Sequence, residues 1–302
     1  MRRKGAMSEI AIIGMGLIGG SLALSLRRGQ PGLRILGVDS TGSALELALA
    51  AGAIDQALAA GLGDEAAWLD RLAGCDAVVL AIPAPALAGL LPRVAARMRP
   101  GAVLTDVCGA KERVCALGAA QDRVVFVGAH PMAGTEFRGF AAASTQLFAG
   151  ATVALCPPVG HAHGRDAAAG LVSDLWRAAG AGKLLPVGPI EHDRAIAYAS
   201  HLPYLAAAVV VESLGGAGEA QALARELAAG GFRDTTRLAG DGTVGGAASL
   251  NRFVPAAARD LAERLRALAL LLEADPAAAL TRLGALADER RQMRLPRAGP
   301  KG

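Results

Sequence analysis

The chain has 302 residues, a formal net charge of +4 and a hydrophobic content of 53%. This length is enough for two domains with a large core, and the composition excludes a disordered chain. The basic residues form no stripe with interleaved aromatic side chains, so nucleic-acid binding is not expected. Apart from the N-terminal stretch, no uncharged apolar run reaches membrane-spanning length, and no membrane association is expected.

Two features of the chain bear on its compartment and on metal binding. A basic segment at residues 2–4 precedes an apolar stretch, as in a signal peptide, but that stretch contains Gly14, Gly16, Gly19 and Gly20, and no convincing cleavage site precedes Arg27. The four cysteines form no Cys-x-x-Cys pair, which predicts reduced thiols and a cytoplasmic protein. Cys156 lies near His161 and His163, but no fourth ligand is evident, so no metal site is predicted.

The first predicted elements are a strand, a glycine-rich loop, a helix and a second strand. Apolar periodicity predicts the strands at residues 10–13 and 35–38 and the helix at residues 21–28. The loop has the pattern Gly-x-Gly-x-x-Gly, and Asp39 follows it by about 20 residues, as in the dinucleotide-binding fingerprint. Because glycine is abundant in this chain, a glycine-rich loop without this function is the alternative.

Each glycine of the loop has a predicted role toward NAD. Gly14 permits the tight turn, Gly16 lets the backbone approach the pyrophosphate, and Gly19 lets the helix pack on the strand. The helix N-terminus offers N–H groups and a positive dipole to the phosphates. Asp39 accepts hydrogen bonds from the adenosine ribose and repels a 2′-phosphate, which favours NAD over NADP. The candidate cofactor-binding residues are Gly14, Met15, Gly16, Leu17, Ile18, Gly19 and Asp39.

Predicted strands and helices alternate as far as residue 188. Helical patterns cover residues 43–51, 64–73, 87–99 and 166–179, and buried strands cover residues 77–82, 103–107, 124–127, 151–155 and 183–187. This alternation predicts an α/β domain with a doubly wound, Rossmann-type parallel sheet. We place this NAD-binding domain at residues 1–188, because Gly188-Pro189 is a natural boundary.

Residues 189–302 contain no convincing strand and predict an all-α C-terminal domain. A long helix is expected at residues 191–214, with a kink at Pro203, because proline removes a hydrogen-bond donor and clashes with the carbonyl of Ala199. Further helices are predicted at residues 219–229, 255–273 and 276–294. The spacing of Leu and Ala in the last two suits helix packing and dimerisation.

His130 is the candidate catalytic residue. It follows a predicted buried strand and is held by Pro131, on a loop at the edge where a parallel sheet binds its ligands. A histidine with a pKa near neutrality can take a proton from a substrate hydroxyl. The alternative is a structural histidine whose ring is satisfied by backbone groups in a tight loop.

Two arginines, Arg233 and Arg237, lie in a segment predicted to connect two helices. Paired guanidinium groups can clamp a carboxylate bidentately, which makes this segment a candidate for substrate binding. The alternative is a surface salt bridge with Asp234 or Asp241, and the spacing alone does not separate the two.

Several motifs, taken in order, resemble the prephenate/arogenate dehydrogenase family of tyrosine biosynthesis. They are Gly14 to Gly19 with the residues around it, Thr105-Asp106-Val107 with Lys111, Ala129-His130-Pro131 with Gly134-Thr135-Glu136, His192-Asp193 with Ser200-His201-Leu202-Pro203, and Gly231-Phe232-Arg233-Asp234 with Thr236-Arg237. The first motif is generic, whereas the other four in this order are specific. The likeness extends from about residue 10 to residue 237.

The resemblance implies an NAD-dependent oxidative decarboxylation of prephenate to 4-hydroxyphenylpyruvate. It also implies an active site between the two domains and a homodimer formed through the C-terminal helices. His130 matches the catalytic histidine, which takes the proton of the ring hydroxyl as hydride leaves for NAD. Arg237 matches an arginine that holds a substrate carboxylate, His201 a histidine near the substrate and nicotinamide, and Glu136 an acid at the pocket mouth.

Two departures from the family pattern affect the substrate side. Many members have a serine that contacts the ring hydroxyl, but here the loop after Asp106 reads Val-Cys-Gly, so Gly109 supplies no hydroxyl. The segment 240–246 is rich in glycine and lacks the tryptophan that often follows the arginine. Arogenate or an amino-substituted prephenate therefore stays open as the substrate.

Two readings outside this substrate class also stay open. One is a β-hydroxyacid dehydrogenase with a helical C-terminal domain, but such enzymes generally rely on a catalytic lysine on a helix, and Lys183 lies in a predicted strand. The other is a catalytically silent NAD-binding homologue, which the departures at Gly109 and at residues 240–246 keep in consideration.

Overall fold

A computed structural model describes residues 7–60, 65–135, 137–158 and 164–294. Its centre is an eight-stranded sheet with the strand order β3-β2-β1-β4-β5-β6-β7-β8. The strands are β1 Glu9–Ile13, β2 Arg34–Asp39, β3 Gln56–Ala59, β4 Ala77–Leu80, β5 Val103–Asp106, β6 Val125–Pro131, β7 Thr152–Cys156 and β8 Lys183–Pro186. Glu136, His161 and His163 lie outside the described residues.

Helices cover both faces of the sheet and form the C-terminal part of the chain. They are α1 Leu17–Gly29, α2 Gly42–Ala50, α3 Glu65–Arg71, α4 Ala84–Arg97, α5 Glu112–Ala119, α6 Arg165–Ala178, α7 Pro189–Ile196, α8 Leu202–Ser213, α9 Gln221–Glu226, α10 Gly230–Thr236, α11 Gly242–Leu250, α12 Val254–Ala274 and α13 Pro276–Gln292. The predicted fold class, a Rossmann-type sheet followed by helices, is confirmed. The division at residue 188 stays a prediction.

Strand β1 lies in the middle of the sheet between β2 and β4, and both of its faces are buried. Ile10 and Ile12 pack into the core on one side of the sheet, whereas Ala11 and Ile13 pack into the core on the other side. This alternation explains why the strand is apolar at successive positions, as expected for a strand covered by helices on both faces. The carboxyl ends of the parallel strands form one edge, where ligands bind in such sheets.

Two strands, β7 and β8, depart from the predicted parallel arrangement. Strands β1 to β6 are parallel neighbours in the order typical of the Rossmann fold, but β7 runs antiparallel to β6. A parallel neighbour requires a long crossover, usually an α-helix, whereas the described part of the connection from β6 to β7 contains only the 3₁₀ turn Phe140–Ala142. Strand β8 then pairs with β7 in parallel after helix α6.

The long helix predicted at residues 191–214 is interrupted. Helices α7 and α8 are joined by a π-helical turn, Ala197–His201, and Pro203 lies in the first turn of α8. The predicted irregularity is therefore present, and π-helical turns often occur at functional sites. By length and composition the segment Pro189–Gly216 also resembles a membrane span, with a mean hydropathy of 1.3. This resemblance is weak evidence, because a helix of a soluble protein passes the same test.

Four elements were not predicted from the sequence: β3, α5, α10 and α11. The interpretation of Arg233 as a residue between helices is wrong, because it lies within α10. Helix α11 forms in the glycine-rich segment because Asp241 caps it, accepting a hydrogen bond from the backbone N–H of Thr243 at 3.0 Å. The cysteines are free thiols, as expected, and all four are buried.

Candidate active site

The glycine loop has the conformation that the fingerprint requires. Gly14 has a φ of 99°, and a Cβ there would overlap the carbonyl group of Ala81, so the position demands glycine. A Cβ on Gly19 would overlap the carbonyl oxygen of Gly14, because α1 packs closely on the loop. A Cβ on Gly16 would meet nothing within 4 Å. The open space beside Gly16 therefore suits the close approach of a pyrophosphate.

Asp39, at the end of β2, faces the same loop. Its Oδ2 accepts a hydrogen bond from the backbone N–H of Met15 at 2.6 Å, and its Oδ1 accepts one from Thr41 at 2.8 Å. The side chain of Met15 is buried in the core, so this residue presents its backbone to the loop. A carboxylate accepts more than one hydrogen bond at each oxygen. Asp39 therefore keeps acceptor capacity for ribose hydroxyls while it braces the loop.

His130 is joined to His192 and, through it, to Asp193. The histidine lies near the carboxyl end of β6, where it pairs with Ala154 of β7. Its Nδ1 lies 3.0 Å from Nε2 of His192, and Nδ1 of His192 lies 2.8 Å from Oδ1 of Asp193. A chain of polar side chains therefore leads from the sheet to helix α7.

Asp193 connects α7 to the amino end of α5. Its Oδ1 accepts a hydrogen bond from the backbone N–H of Lys111 at 2.7 Å, and its Oδ2 accepts one from Glu112 at 3.0 Å. The carboxylate is fully buried at a helix N-terminus, where a negative charge is favoured. Burial alone would raise the pKa of Asp193. The hydrogen bonds from His192 and from the two backbone N–H groups outweigh burial and lower this pKa.

His201, the second histidine expected at the site, is buried in the π-helical turn before α8. Its Nδ1 lies 3.2 Å from Nδ2 of Asn251, and the same amide nitrogen donates to the backbone carbonyl of Asp193 at 2.7 Å. Burial lowers the pKa of His201 to about 4, so the ring is neutral at physiological pH. The structure thus brings His201 into the network that contains Asp193.

A buried ion pair supports the loop that follows β5. Lys111 binds Asp106 through its Nζ and donates to the carbonyl of Ala129 at 2.8 Å, and both side chains of the pair are fully buried. Asp106 also accepts hydrogen bonds from the backbone N–H groups of Cys108 at 2.8 Å and Ala129 at 3.2 Å. Burial alone would lower the pKa of Lys111, but the Asp106 carboxylate raises it. The pair therefore fixes the backbone immediately before His130.

The environment of His130 keeps its ring neutral. Burial lowers the pKa of His130 well below its ordinary value of about 6.5. A proton on His192 or His201, like the ammonium group of Lys111, lowers it further, because a positive charge beside the ring disfavours a second proton. A neutral imidazole at neutral pH is able to accept a proton, as a general base must.

Gly109 faces the ring of His130, at the position where many family members carry serine. A Cβ on Gly109 would lie 3.5 Å from Nε2 of His130 and 3.1 Å from the Cβ of Ala247 in α11. Small residues on both sides thus allow α11 to approach the loop closely. Gly245 makes a similar approach, since a Cβ there would lie 3.1 Å from the hydroxyl oxygen of Tyr204. The missing serine is therefore accompanied by tight packing against α11.

Arg237, the predicted substrate arginine, is exposed, whereas the histidines of the site are buried or half-buried. Arg237 begins the 3₁₀ turn Arg237–Gly240 and is exposed. It forms no ion pair with Asp234 or Asp241, both of which belong to the described part of the chain. The surface salt bridge considered from the sequence is therefore not observed. No contact in the structure tests its role in substrate binding, which stays a prediction.

The loop after β6 reaches across to α11. Arg138, two residues beyond Glu136, donates from its guanidinium to the carbonyl of Gly240 at 3.3 Å. Glu136 itself is not among the described residues, so its expected place at the pocket mouth stays a prediction. The loop that follows the catalytic candidate is nevertheless joined directly to the glycine-rich segment that departs from the family pattern.

Two family models match the chain. The model for the nucleotide-binding domain of prephenate dehydrogenase matches residues 22–183, which is more than half of the chain. The chain belongs to the prephenate dehydrogenase family. The model for the dimerization domain of the same family matches residues 188–243. The family resemblance inferred from the sequence motifs is thereby confirmed.

Individual relatives agree with this assignment. The prephenate dehydrogenase of Bacillus subtilis is 33% identical over 234 residues, which are 76% of this chain and 60% of that protein. Synechocystis arogenate dehydrogenase has 30% identity and a TM-score of 0.73, with 94% of this chain and 98% of that chain covered. Prephenate dehydrogenase from A. aeolicus, in complex with hydroxyphenyl propionate and NAD+, has 25% identity, a TM-score of 0.84 and coverages of 96% and 99%. The chain therefore spans only about 60% of the length of the Bacillus relative.

Some members of this network were identified from the sequence, although their roles were not. Another was missed. His192, Asp193 and Lys111 were recognised as parts of family motifs, but their spacing gave no indication that they converge on His130. Asn251 was not recognised at all, because a single asparagine at the end of an unpredicted helix carries no periodic or motif signal. Only the contact between α11 and α7 reveals it.

Proposed function

We propose that this protein is an NAD-dependent oxidoreductase that converts prephenate to 4-hydroxyphenylpyruvate and carbon dioxide. The observation that carries this proposal is the placement of the neutral ring of His130 at the edge of the sheet that also bears the glycine loop. Parallel strands place their carboxyl ends at one edge, so the ends of β1 and β6 both face the ligand crevice. Family membership and the relatives named above support the substrate class.

The residues of the glycine loop fit NAD. Gly16 offers the space for the pyrophosphate, the N-terminus of α1 offers backbone N–H groups, and Asp39 offers acceptors for the ribose. The carboxylate of Asp39 disfavours the 2′-phosphate of NADP. When bound, NAD accepts a hydride from the substrate carbon that bears the hydroxyl group.

His130 acts as the base in this reaction. It takes the hydroxyl proton at the ring carbinol as the hydride leaves, and the C–O bond gains carbonyl character. Loss of carbon dioxide from the opposite ring position then makes the ring aromatic, and the proton held by His130 returns to the phenolate oxygen. Arg237 holds a substrate carboxylate, and His201 and Gly109 line the substrate region. Glu136, which lies outside the described residues, is the acid that the family resemblance predicts for the pocket mouth.

Arogenate is the second candidate substrate, because the chain covers nearly all of the Synechocystis arogenate dehydrogenase structure at 30% identity. The two substrates differ only in a side-chain amine or keto group, which lies away from the reacting ring carbon. The chemistry assigned to His130 is therefore the same for both. The charge that faces the side chain decides between them.

We also propose a homodimer formed through the C-terminal helices, in a cytoplasmic protein. Val209, Val210 and Val211 of α8 are exposed, as are Leu270 of α12 and Leu283 of α13. Apolar surface of this extent is typical of a covered interface. The match of residues 188–243, which include α8, to a dimerization domain supports an interface in this part of the chain. The apolar character that gives residues 189–216 their resemblance to a membrane span then serves association.

The direct test offers prephenate or arogenate, each with NAD or NADP, to the purified protein and follows the absorbance of the reduced nicotinamide. We expect turnover with prephenate and NAD, and weaker turnover with NADP. Faster turnover with arogenate would instead assign the second substrate. Binding of NAD without turnover of either substrate would identify a catalytically silent homologue and overturn the proposal.

The cofactor site has its own test in Gly16→Ala. The methyl group meets no protein atom, and the backbone at this position, with φ of −80°, accepts alanine, so the thermal stability should be unchanged. The methyl group occupies space needed by the pyrophosphate, and we expect NAD affinity to fall about tenfold or more, equivalent to ~1.4 kcal/mol. Gly14→Ala is the contrasting control, since its methyl group overlaps Ala81 and should destabilise the fold. Unchanged NAD affinity in Gly16→Ala would remove the loop from the binding site.

A further inference from the structure

The hydrogen bonds between Asp193, His192 and His130 determine which ring nitrogens carry protons. Asp193 is buried and accepts two backbone N–H groups at the start of α5, so its carboxylate is ionised and acts only as an acceptor. His192 lies 2.8 Å from this carboxylate through its Nδ1, and that nitrogen therefore carries a proton. A neutral imidazole has one N–H, so in that form of His192 its Nε2 is an acceptor.

Nδ1 of His130, the candidate base, faces this acceptor. Because Nε2 of His192 accepts, Nδ1 of His130 at 3.0 Å must donate, and the lone pair of His130 is on Nε2. That nitrogen is on the side of the ring near Gly109, since a Cβ on Gly109 would lie 3.5 Å from it. The lone pair thus faces the loop where the substrate hydroxyl is expected.

His201 provides a contrast within the same network. The amide of Asn251 is oriented by its Oδ1, which accepts a hydrogen bond from the backbone N–H of Phe253 at 3.0 Å. Its Nδ2 therefore donates to Nδ1 of His201, which places the proton of His201 on Nε2. The two histidines are held in opposite tautomers, His130 as an acceptor at Nε2 and His201 as a donor at Nε2.

We propose that His192, held by Asp193, is a positioning residue that fixes His130 in the tautomer with its proton on Nδ1, ready to accept a proton at Nε2. The proposal rests on the function assigned to His130 above. When the substrate O–H bond breaks, an N–H bond forms at Nε2 of His130 and the C–H electron pair leaves as hydride to NAD. The positive charge of the resulting imidazolium is shared through the Nδ1–H bond to His192 and stabilised by Asp193.

The tautomers are measured directly by nitrogen-15 NMR of the histidine rings in the free protein, with His130 assigned from a His130→Asn sample. We expect His130 protonated on Nδ1 and His201 protonated on Nε2. In His192→Leu, which removes the acceptor, His130 should shift to the Nε2-protonated form while His201 stays unchanged. In His192→Gln the side-chain oxygen replaces the lost acceptor, and His130 should keep its proton on Nδ1.

Kinetics with the substrate that turns over provide the second readout. His192→Leu should lower kcat about 100-fold with KM nearly unchanged, and His192→Gln should recover part of the loss. The inference would be overturned if His130 were protonated on Nε2 in the unmodified protein. It would also be overturned if His130 kept its proton on Nδ1 in His192→Leu. If neither substrate reacts, the function proposed above fails, and the NMR result by itself still decides the role of His192. Where the Leu variant does not fold, the spectrum of the unmodified protein still decides, because the inference requires His130 protonated on Nδ1 and His201 protonated on Nε2 there.

Discussion

The catalytic side and the substrate side of this site differ in how far the chain itself completes them. Around His130 the polar groups are buried and bonded to one another, from Asp193 through His192 and from Asp106 through Lys111. On the substrate side, Arg237 is exposed and pairs with neither neighbouring aspartate. The proposed base is thus held by hydrogen bonds within the chain itself, whereas the proposed substrate arginine is exposed and forms no ion pair with its neighbouring aspartates.

The largest effect should come from the base itself. In His130→Asn the group that accepts the hydroxyl proton is lost, and we expect kcat to fall by about 10²–10⁴-fold, the usual contribution of general base catalysis. NAD affinity, measured by calorimetry, should stay close to that of the unmodified protein because the glycine loop is untouched. A kcat equal to that of the unmodified protein would remove His130 from the mechanism.

The ion pair beneath the base should matter chiefly for stability. Lys111→Met leaves the buried carboxylate of Asp106 without its partner, and breaking a buried pair costs about 3–5 kcal/mol of unfolding free energy. Chemical denaturation followed by circular dichroism measures this loss. The matched control is Lys183→Met at the exposed first residue of β8, which should be nearly neutral. If the two variants had the same unfolding free energy, the ion pair between Lys111 and Asp106 would not be what stabilises the region beneath His130.

Replacing the exposed Arg237 should change substrate binding and leave the stability of the fold nearly unchanged. Arg237→Gln removes a charge-assisted contact to a substrate carboxylate, worth about 1.5–3 kcal/mol, so KM should rise roughly 10- to 100-fold. The unfolding free energy should change little, because the side chain is exposed. The control Arg233→Gln, in α10, measures how much of the change in KM comes from the loss of any positive charge in this region. A KM equal to that of the unmodified protein would exclude Arg237 from the substrate site.

The smallest effect is expected at Gly109, which lies between His130 and α11. In Gly109→Ser the added Cβ meets Ala247 at 3.1 Å, so α11 must shift by a few tenths of an ångström. The hydroxyl group comes within reach of Nε2 of His130, and we expect a change in kcat/KM of only a few-fold, about 1 kcal/mol or less. Gly109→Ala is the control that adds the methylene without the hydroxyl. A large and equal loss in both variants would show that packing against α11, and not the hydroxyl, governs this position.

Features that depend on neighbouring residues could be predicted from the sequence. The fingerprint was readable because Gly14 and Gly19 are required by local backbone geometry and by the packing of α1 on its own loop. The buried strands were readable from their apolar runs, and the irregularity before Pro203 from the chemistry of proline. The order of the motifs was sufficient to recognise the family.

Contacts between residues that are distant in the sequence could not be predicted, because they form only when separate elements pack together. His130 and His192 are 62 positions apart, and Lys111 and Asp193 are 82 positions apart, so no periodicity or spacing rule connects them. The antiparallel course of β7 and the approach of α11 to Gly109 likewise depend on contacts between separate elements. Local conformational preferences act over a few residues. The proton positions of the site depend instead on hydrogen bonds that exist only after the sheet and the C-terminal helices have packed together.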